Sequence, residues 1–165
     1  MNYIFFDVDG VLNGTDENGI WIDEEIHATK VARLLELAKT TNAKLIMSSS
    51  WKTAWNNNGE LIKNHKHNIM LNDLLQNQLY SVTPVINHNR NLEIKTWLQK
   101  NANIDDNFVC FDDEYSYYQN DDFYKNKFIH TAPPHCNGAY HKNDIVGLFD
   151  THIKKAKQIL LERNL

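Results

Sequence analysis

The sequence predicts an α/β fold built on a mostly parallel sheet with helices on both faces. Three observations predict it. Short apolar runs rich in β-forming residues alternate with longer stretches of helical spacing, the pattern of strand–helix–strand units. The runs are apolar without a polar alternation, as strands buried on both faces must be. Three of them stop, at the carboxyl side, in carboxylates or hydroxyls, and in open α/β sheets that edge is where ligands sit. The 165 residues suffice for one such domain over 1–165.

Each element follows in order. Tyr3–Phe6 is an apolar β-forming run, broken by Asp7-Val8-Asp9-Gly10. Residues 23–40 read as a helix, with Ile26, Val31, Leu34, Leu35 and Ala38 at helical spacing and Asp23 as N-cap. Lys44–Met47 is a second strand, running into Ser48-Ser49-Ser50-Trp51. Residues 59–79 carry helical spacing through Leu61, Ile62, Leu71, Leu74, Leu75 and Leu79. Val82–Ile86 reads as a short strand that Pro84 makes an edge or a connection rather than a central strand. Asn91–Lys100 is a helix, Phe108–Phe111 a third buried strand ending in Asp112-Asp113, and Phe128–His130 a fourth short strand. Residues 150–163 form a terminal amphipathic helix with its basic side outward.

Composition narrows the function classes. Apolar residues make up 42% and charged residues 23%, an ordinary globular balance. The net charge of -4 weakens any reading as a broadly basic nucleic-acid binder. Two cysteines, Cys110 and Cys136, imply no disulfide scaffold and fit a reducing compartment. With no apolar run near the roughly 20 residues of a membrane span and no signal-type start, a cytoplasmic location is expected.

Asp7 and Asp9 stand two apart, so an extended strand end points both carboxylates the same way. Such crowding needs a cation or a proton, and a hard, oxygen-ligated ion such as Mg²⁺ fits. Asp112 and Asp113 supply further oxygens, Gly10 a sharp turn with exposed N–H groups, and Ser48, Ser49 and Ser50 hydroxyls and N–H donors. Arg90 and Lys95 are the cations available to balance a phosphate.

This set resembles the haloacid dehalogenase-like (HAD) phosphatase superfamily. Phe6-Asp7-Val8-Asp9-Gly10-Val11-Leu12-Asn13 matches its first motif, Leu45-Ile46-Met47-Ser48-Ser49 its second, and Val109-Cys110-Phe111-Asp112-Asp113 its fourth. A closer likeness is to the small HAD domains related to those in RNA-repair proteins: Ser49-Ser50-Trp51-Lys52, Arg90 to Leu98, Asp112-Asp113 and Gly147-Leu148 match their signatures, with Asn91 where they show glycine. The resemblance implies a Rossmann-like HAD core and a Mg²⁺-dependent phosphomonoester hydrolase. Asp7 would be the nucleophile and Asp9 the acid/base. Asp7, the carbonyl of Asp9, Asp112 and Asp113 would hold Mg²⁺. Ser49, ahead of Ser48, would bind a phosphoryl oxygen. Arg90 is favoured over Lys95 as the phosphate cation: it precedes Asp112 by 22 residues, against 17 for Lys95, and its planar fork suits phosphate.

The gaps of 38 residues between Asp9 and Ser48, and of 39 between Ser50 and Arg90, leave no room for a large cap domain. An open site suits a nucleic-acid end, without excluding a nucleotide; the alternatives are a phosphoprotein or small-metabolite phosphatase, or an inactive HAD fold used for binding. A phospho-acceptor receiver domain fails on the order of its acidic motifs. Trp51 is read first as packing and second as a stacking platform for a base. His65 and His67, with Lys63 and Lys66, read as a solvated helix face, or else as a basic patch for a phosphate backbone. His130, His135, Cys136 and His141 do not follow a zinc-finger or ribbon spacing and read as loop residues. Trp97 is core, and Tyr115, Tyr117 and Tyr118 line the cleft or cover a sheet edge. The oligomeric state is left open.

Overall fold

The computed structural model describes residues 1–23 and 25–162. Five strands, β1 (Asn2–Phe6), β2 (Ala43–Met47), β3 (Leu79–Val82), β4 (Asn107–Asp112) and β5 (Phe128–His130), form one sheet in the order β3-β2-β1-β4-β5. Every pairing is parallel. The four α-helices are α1 (Ala28–Thr41), α2 (Lys66–Leu74), α3 (Arg90–Asn101) and α4 (Asp150–Leu161).

Strand alternation divides the core into two layers. Ile4 and Phe6 of β1, Leu45 and Met47 of β2, and Val109 and Phe111 of β4 face one way, where they pack with Val31, Leu34 and Leu37 of α1, Leu71 of α2, and Ala156 and Leu160 of α4. Tyr3, Phe5, Ile46, Phe108 and Cys110 face the other way, against Ile94 and Trp97 of α3 and the buried Tyr118 and Tyr124. Trp97 meets Tyr3 and Phe5 edge-on, with ring centroids 5.2 and 5.4 Å away, an arrangement the ring quadrupoles favour. Both faces are thus covered. Among the described residues no helix is long and apolar enough to cross a membrane, and no cap domain interrupts the core.

Four elements differ in their bounds from the sequence reading. The first helix starts at Ala28 with His27 as its N-cap, not at Asp23; Ile26 is buried, but in the connection before the helix, where the His27 N–H bonds to Leu12 O. Glu24, inside the predicted helix, lies outside the described residues. The predicted helix 59–79 shrinks to α2. Gly59 turns the chain at φ +74°, where a Cβ would sit 2.2 Å from Leu79 O. Trp55 and Leu61 form an antiparallel bridge, Gln76 and Asn77 take left-handed backbone that ends the helical run, and Leu79 belongs to β3. That strand occupies Leu79–Val82 rather than Val82–Ile86, because Pro84 lacks the N–H to continue the ladder; it does lie at a sheet edge. The last helix ends at Leu161, and Arg163 of its predicted span lies outside the described residues.

Helix α4 begins where His152 Nδ1 accepts the Phe149 N–H at 3.1 Å, the reciprocal half of a capping box. Burial, with Lys30, Lys155 and His130 nearby, pushes the His152 imidazole down from 6.5 to about 4. The folded state therefore keeps it neutral where the unfolded chain would protonate it. Its contribution is full above pH 6.5 and is lost as pH falls from about 6.5 toward 4, by at most about 3 kcal/mol. His152→Gln, which retains an acceptor for the cap, is expected to flatten that part of the stability profile in urea unfolding between pH 7 and pH 4; an unchanged slope would contradict the assignment.

Candidate active site

Each parallel ladder runs one rung past its strand. Asp7 N–H bonds to Phe111 O at 3.0 Å, Ser48 N–H to Phe6 O at 2.9 Å, Thr83 N–H to Met47 O at 3.0 Å and Thr131 N–H to Asp112 O at 3.0 Å. The residues following β1, β2 and β4 are thereby fixed side by side at one sheet edge. There a cleft of about 410 Å³ opens, lined among others by Asp7, Asp9, Ser49, Ser50, Arg90 and Asp113.

Asp7, Asp112 and Asp113 are all buried, and each brings a carboxylate oxygen within 4.8 Å of the others. Arg90, the first residue of α3, reaches into this group. Its Nη1 pairs with Asp7 Oδ2 and lies 2.7 Å from Asp112 Oδ2. Helix α3 is set by Asn89, whose side chain accepts the Leu92 N–H at 3.0 Å. Burial opposes the charge on Arg90, but Asp7 and Asp112 outweigh it and hold the guanidinium protonated. Burial raises the Asp7 carboxyl to about 6 against the pull of Arg90, with Asp112 adding to the rise. Asp113 also rises to about 6 by burial, opposed by the Tyr140 hydroxyl, which donates to Asp113 Oδ2 at 2.5 Å. Burial raises Asp112 as well.

The three acids are not equivalent. Asp112 is used up within the protein: Arg90 and the Tyr118 hydroxyl, at 2.8 Å, bond to Oδ2, and the Glu114 N–H bonds to Oδ1 at 2.9 Å. Asp113 keeps one oxygen beyond its bond to Tyr140. Gly10 lies directly against this acid: at φ +66°, a Cβ there would sit 2.4 Å from Asp113 Cγ and 2.5 Å from the Tyr140 hydroxyl. Thr131 Oγ1 ties the Gly10 carbonyl at 2.7 Å.

Asp9 stands apart from the triplet at the rim. Trp51 Nε1–H donates to Asp9 Oδ2 at 2.9 Å and Asn13 Nδ2–H to Oδ1 at 3.0 Å, while Asn13 Oδ1 accepts the Gly10 N–H at 2.7 Å. The side chain of Asp9 is thus not among the clustered acids. The Ser49 hydroxyl is close enough to Asp7 to work against the rise of its carboxyl, and it accepts the Trp51 N–H at 3.3 Å. Ser48 is buried below the cleft and Ser50 lines it. Lys95 is not in the cleft: it pairs with Asp121 and lies over the rings of Phe123 and Tyr124. Trp51 packs edge-on against His67, with centroids 5.0 Å apart, in a side groove shared with Lys63 and His65.

Lys52 is the second cation at the cleft. Its ammonium is buried, pairs with Glu93 and reaches Thr83 Oγ1 at 3.1 Å. Lys52 is thus paired with Glu93, and among the described residues Arg90 is the cation in direct contact with Asp7 and Asp112. The triplet is short of positive charge and its donors are hard oxygens; Asp7 meets Arg90 at Oδ2 and accepts the Val8 N–H at Oδ1, 2.6 Å away, so like Asp112 it has both oxygens engaged. This donor set fits a hard divalent cation of the Mg²⁺ type.

Sequence reading did not single out Asn13 or Tyr140. Asn13, three residues after Gly10, carries an Asx-turn signal that points to it. Tyr140 sits 27 residues after Asp113 in an irregular loop, where no periodic signal exists. Tyr118 was grouped with Tyr115 and Tyr117; only its hydroxyl reaches Asp112, Tyr117 lines the cleft, and Tyr115 is exposed.

Residues 3–135 match the family described as the HAD domain in Swiss Army Knife RNA repair proteins. No curated protein and no solved structure matches the chain. The match spans most of the chain and takes in β1 through β5 together with Asp7, Arg90, Asp112 and Asp113, so the chain belongs to this HAD domain family.

Proposed function

We propose that the protein is a Mg²⁺-dependent phosphomonoester hydrolase acting through an aspartyl-phosphate on Asp7. The observation that carries this reading is the meeting of Asp7 with Arg90 and Ser49 in a cleft whose rim presents Asp9. A nucleophilic carboxylate, a phosphate-matching guanidinium, a hydroxyl donor and a second, separately held carboxyl are the parts that phosphoryl transfer requires.

The substrate phosphoryl group sits between Arg90 and the Ser49 hydroxyl, which bind its oxygens. An Asp7 oxygen attacks phosphorus and the ester bond to the leaving oxygen breaks. Asp9, fixed by Trp51 and Asn13, donates a proton to that oxygen. Asp9 then takes a proton from water, whose oxygen attacks the phosphorus of the acyl phosphate; phosphate leaves and Asp7 is regenerated. Asp7, Asp113 and the Asp9 carbonyl would hold Mg²⁺, with Asp112 behind them fixing Arg90; the bound ion offsets the negative charge that phosphate and Asp7 bring together.

The substrate we favour is a phosphorylated nucleic-acid end. The absence of a cap among the described residues leaves the cleft open, the side groove with Trp51, Lys63 and His67 continues from it, and the family is described from RNA repair proteins. Stacking of one base is worth roughly 1–3 kcal/mol. Assays comparing an end-phosphorylated oligonucleotide with a mononucleotide are expected to give a higher kcat/KM for the oligonucleotide; preference for the mononucleotide at low and high salt would make this a small-molecule phosphatase.

Asp9→Asn is expected to slow alkyl phosphates far more than an aryl phosphate, whose leaving group departs without a proton. Equal losses on both, measured as kcat/KM in Mg²⁺, would contradict the acid role. EDTA is expected to abolish turnover, and Mg²⁺ to restore it.

Arg90→Ala is expected to cost on the order of ten- to a hundredfold in kcat/KM, the worth of a charge-assisted hydrogen bond of roughly 1.5–3 kcal/mol. Lys95→Ala, at a pair facing away from the cleft, is expected to change it by less than about threefold. The reverse order would overturn the assignment of the phosphate cation.

A further inference from the structure

Residues 131–149 join β5 to α4 without a helix or strand of their own. Loops of this length in a small domain usually serve a function. This one delivers Gly138 and Tyr140 to the cleft, and Tyr140 bonds to Asp113. Its ends are tied to the fold, by the Thr131 N–H to Asp112 O, the Thr15 N–H to Val146 O, the Gly147 N–H to Thr131 O and the Leu148 N–H to Val11 O at 2.8–3.0 Å, whereas its middle is held by an antiparallel bridge between Glu114 and Asn137, the Cys136 N–H to Pro133 O at 2.8 Å, and the Asp144 N–H to His141 O at 3.2 Å.

His135, His141 and Asp144 converge within this loop. Their ligand atoms all lie within 4.8 Å of one another, and the two imidazole rings stand nearly parallel, 13° apart with centroids at 5.1 Å. His135 Nε2 is 3.1 Å from Asp144 Oδ1. Two ligands each 2.0–2.1 Å from a tetrahedral zinc ion stand about 3.3 Å apart, so this pair is already near the spacing that one ion would set. His135 Nε2 also lies 3.2 Å from Asp144 Oδ2, which in addition accepts the His141 N–H at 2.6 Å and the thiol of buried Cys136 at 3.2 Å. Donors of this kind orient the carboxylate ligand of a metal. Two imidazoles and one carboxylate are a borderline-soft set that suits Zn²⁺ over Mg²⁺, which separates this cluster from the all-oxygen triplet of Asp7, Asp112 and Asp113.

We propose that His135, His141 and Asp144 form a second metal site, for a zinc-type divalent ion, that staples the loop carrying Tyr140 into the active cleft. The site stands independently of the phosphatase reading. Cys136 serves as the hydrogen-bond donor behind Asp144. The sequence spacing, H-x5-H-x2-D, is not that of a zinc finger or ribbon, so the cluster emerges only once the loop is folded.

The test titrates the metal-free full chain with Zn²⁺ in the presence of excess Mg²⁺, which occupies the carboxylate triplet, against a chromogenic chelator. One tightly bound equivalent of Zn²⁺ is expected, together with a rise in thermal midpoint and, on replacement by Co²⁺, the visible absorption of a four-coordinate ion. His141→Ala and Asp144→Asn are each expected to weaken Zn²⁺ binding at least about tenfold and to remove the thermal shift. The wild-type titration decides even where a variant folds poorly: no uptake of Zn²⁺ in excess Mg²⁺ overturns the site. So does uptake that is unchanged in a folded His135→Ala/His141→Ala double variant.

Discussion

Arg90 spans Asp7 and Asp112, and the charge balance at the sheet edge turns on that contact. Parallel pairing brings the ends of β1 and β4 level, so the carboxylates following them are buried side by side whether or not anything neutralises them. Charges so placed are expensive unless paired. One guanidinium meets two of the acids; the third, Asp113, is met by a neutral tyrosine hydroxyl. The other nearby ammonium, on Lys52, is committed to Glu93. In the function we propose, Arg90 draws the phosphate and the uncompensated acids draw the divalent cation.

The same geometry gives the carboxyl groups separate duties. Asp112 has both oxygens engaged by Arg90, Tyr118 and the Glu114 N–H, so it works as an anchor for the cation. Asp113 retains an oxygen toward the cleft. Asp7 is buried beside Arg90, and Asp9, two residues on, is turned to the rim by Trp51 and Asn13. Trp51 packs its ring on His67, as the first reading of it expects, and its indole N–H holds Asp9, a contact the sequence does not announce.

The sheet was legible because its signals are local and strong: Tyr3–Phe6, Lys44–Met47 and Phe108–Phe111 are apolar runs that only a doubly covered strand accommodates, and each ends in the residues that mark the site. Arg90 was legible from its distance to Asp112, and Asp7, Asp112 and Asp113 from their places at strand ends. The stretch from 59 to 79 misled because Leu61, Ile62 and Leu79 are apolar for different reasons, serving a bridge, a surface and a strand; backbone conformation at Gly59, Gln76 and Asn77 divides them, and periodicity does not register it. Tyr140 and the His135–His141–Asp144 cluster were hidden for a further reason. They depend on how a loop without regular structure folds back over the sheet edge, and no spacing rule encodes that path.

Chemical trapping of the covalent intermediate tests the central claim most directly. Enzyme quenched during turnover of a phosphomonoester, and reduced with borohydride, converts an aspartyl-phosphate to homoserine at the modified position. Peptide mass spectrometry is predicted to find that change at Asp7, dependent on substrate and on Mg²⁺, with Asp9 unmodified. Sustained phosphate release with Asp7 unmodified, or with the label on another residue, would contradict the account.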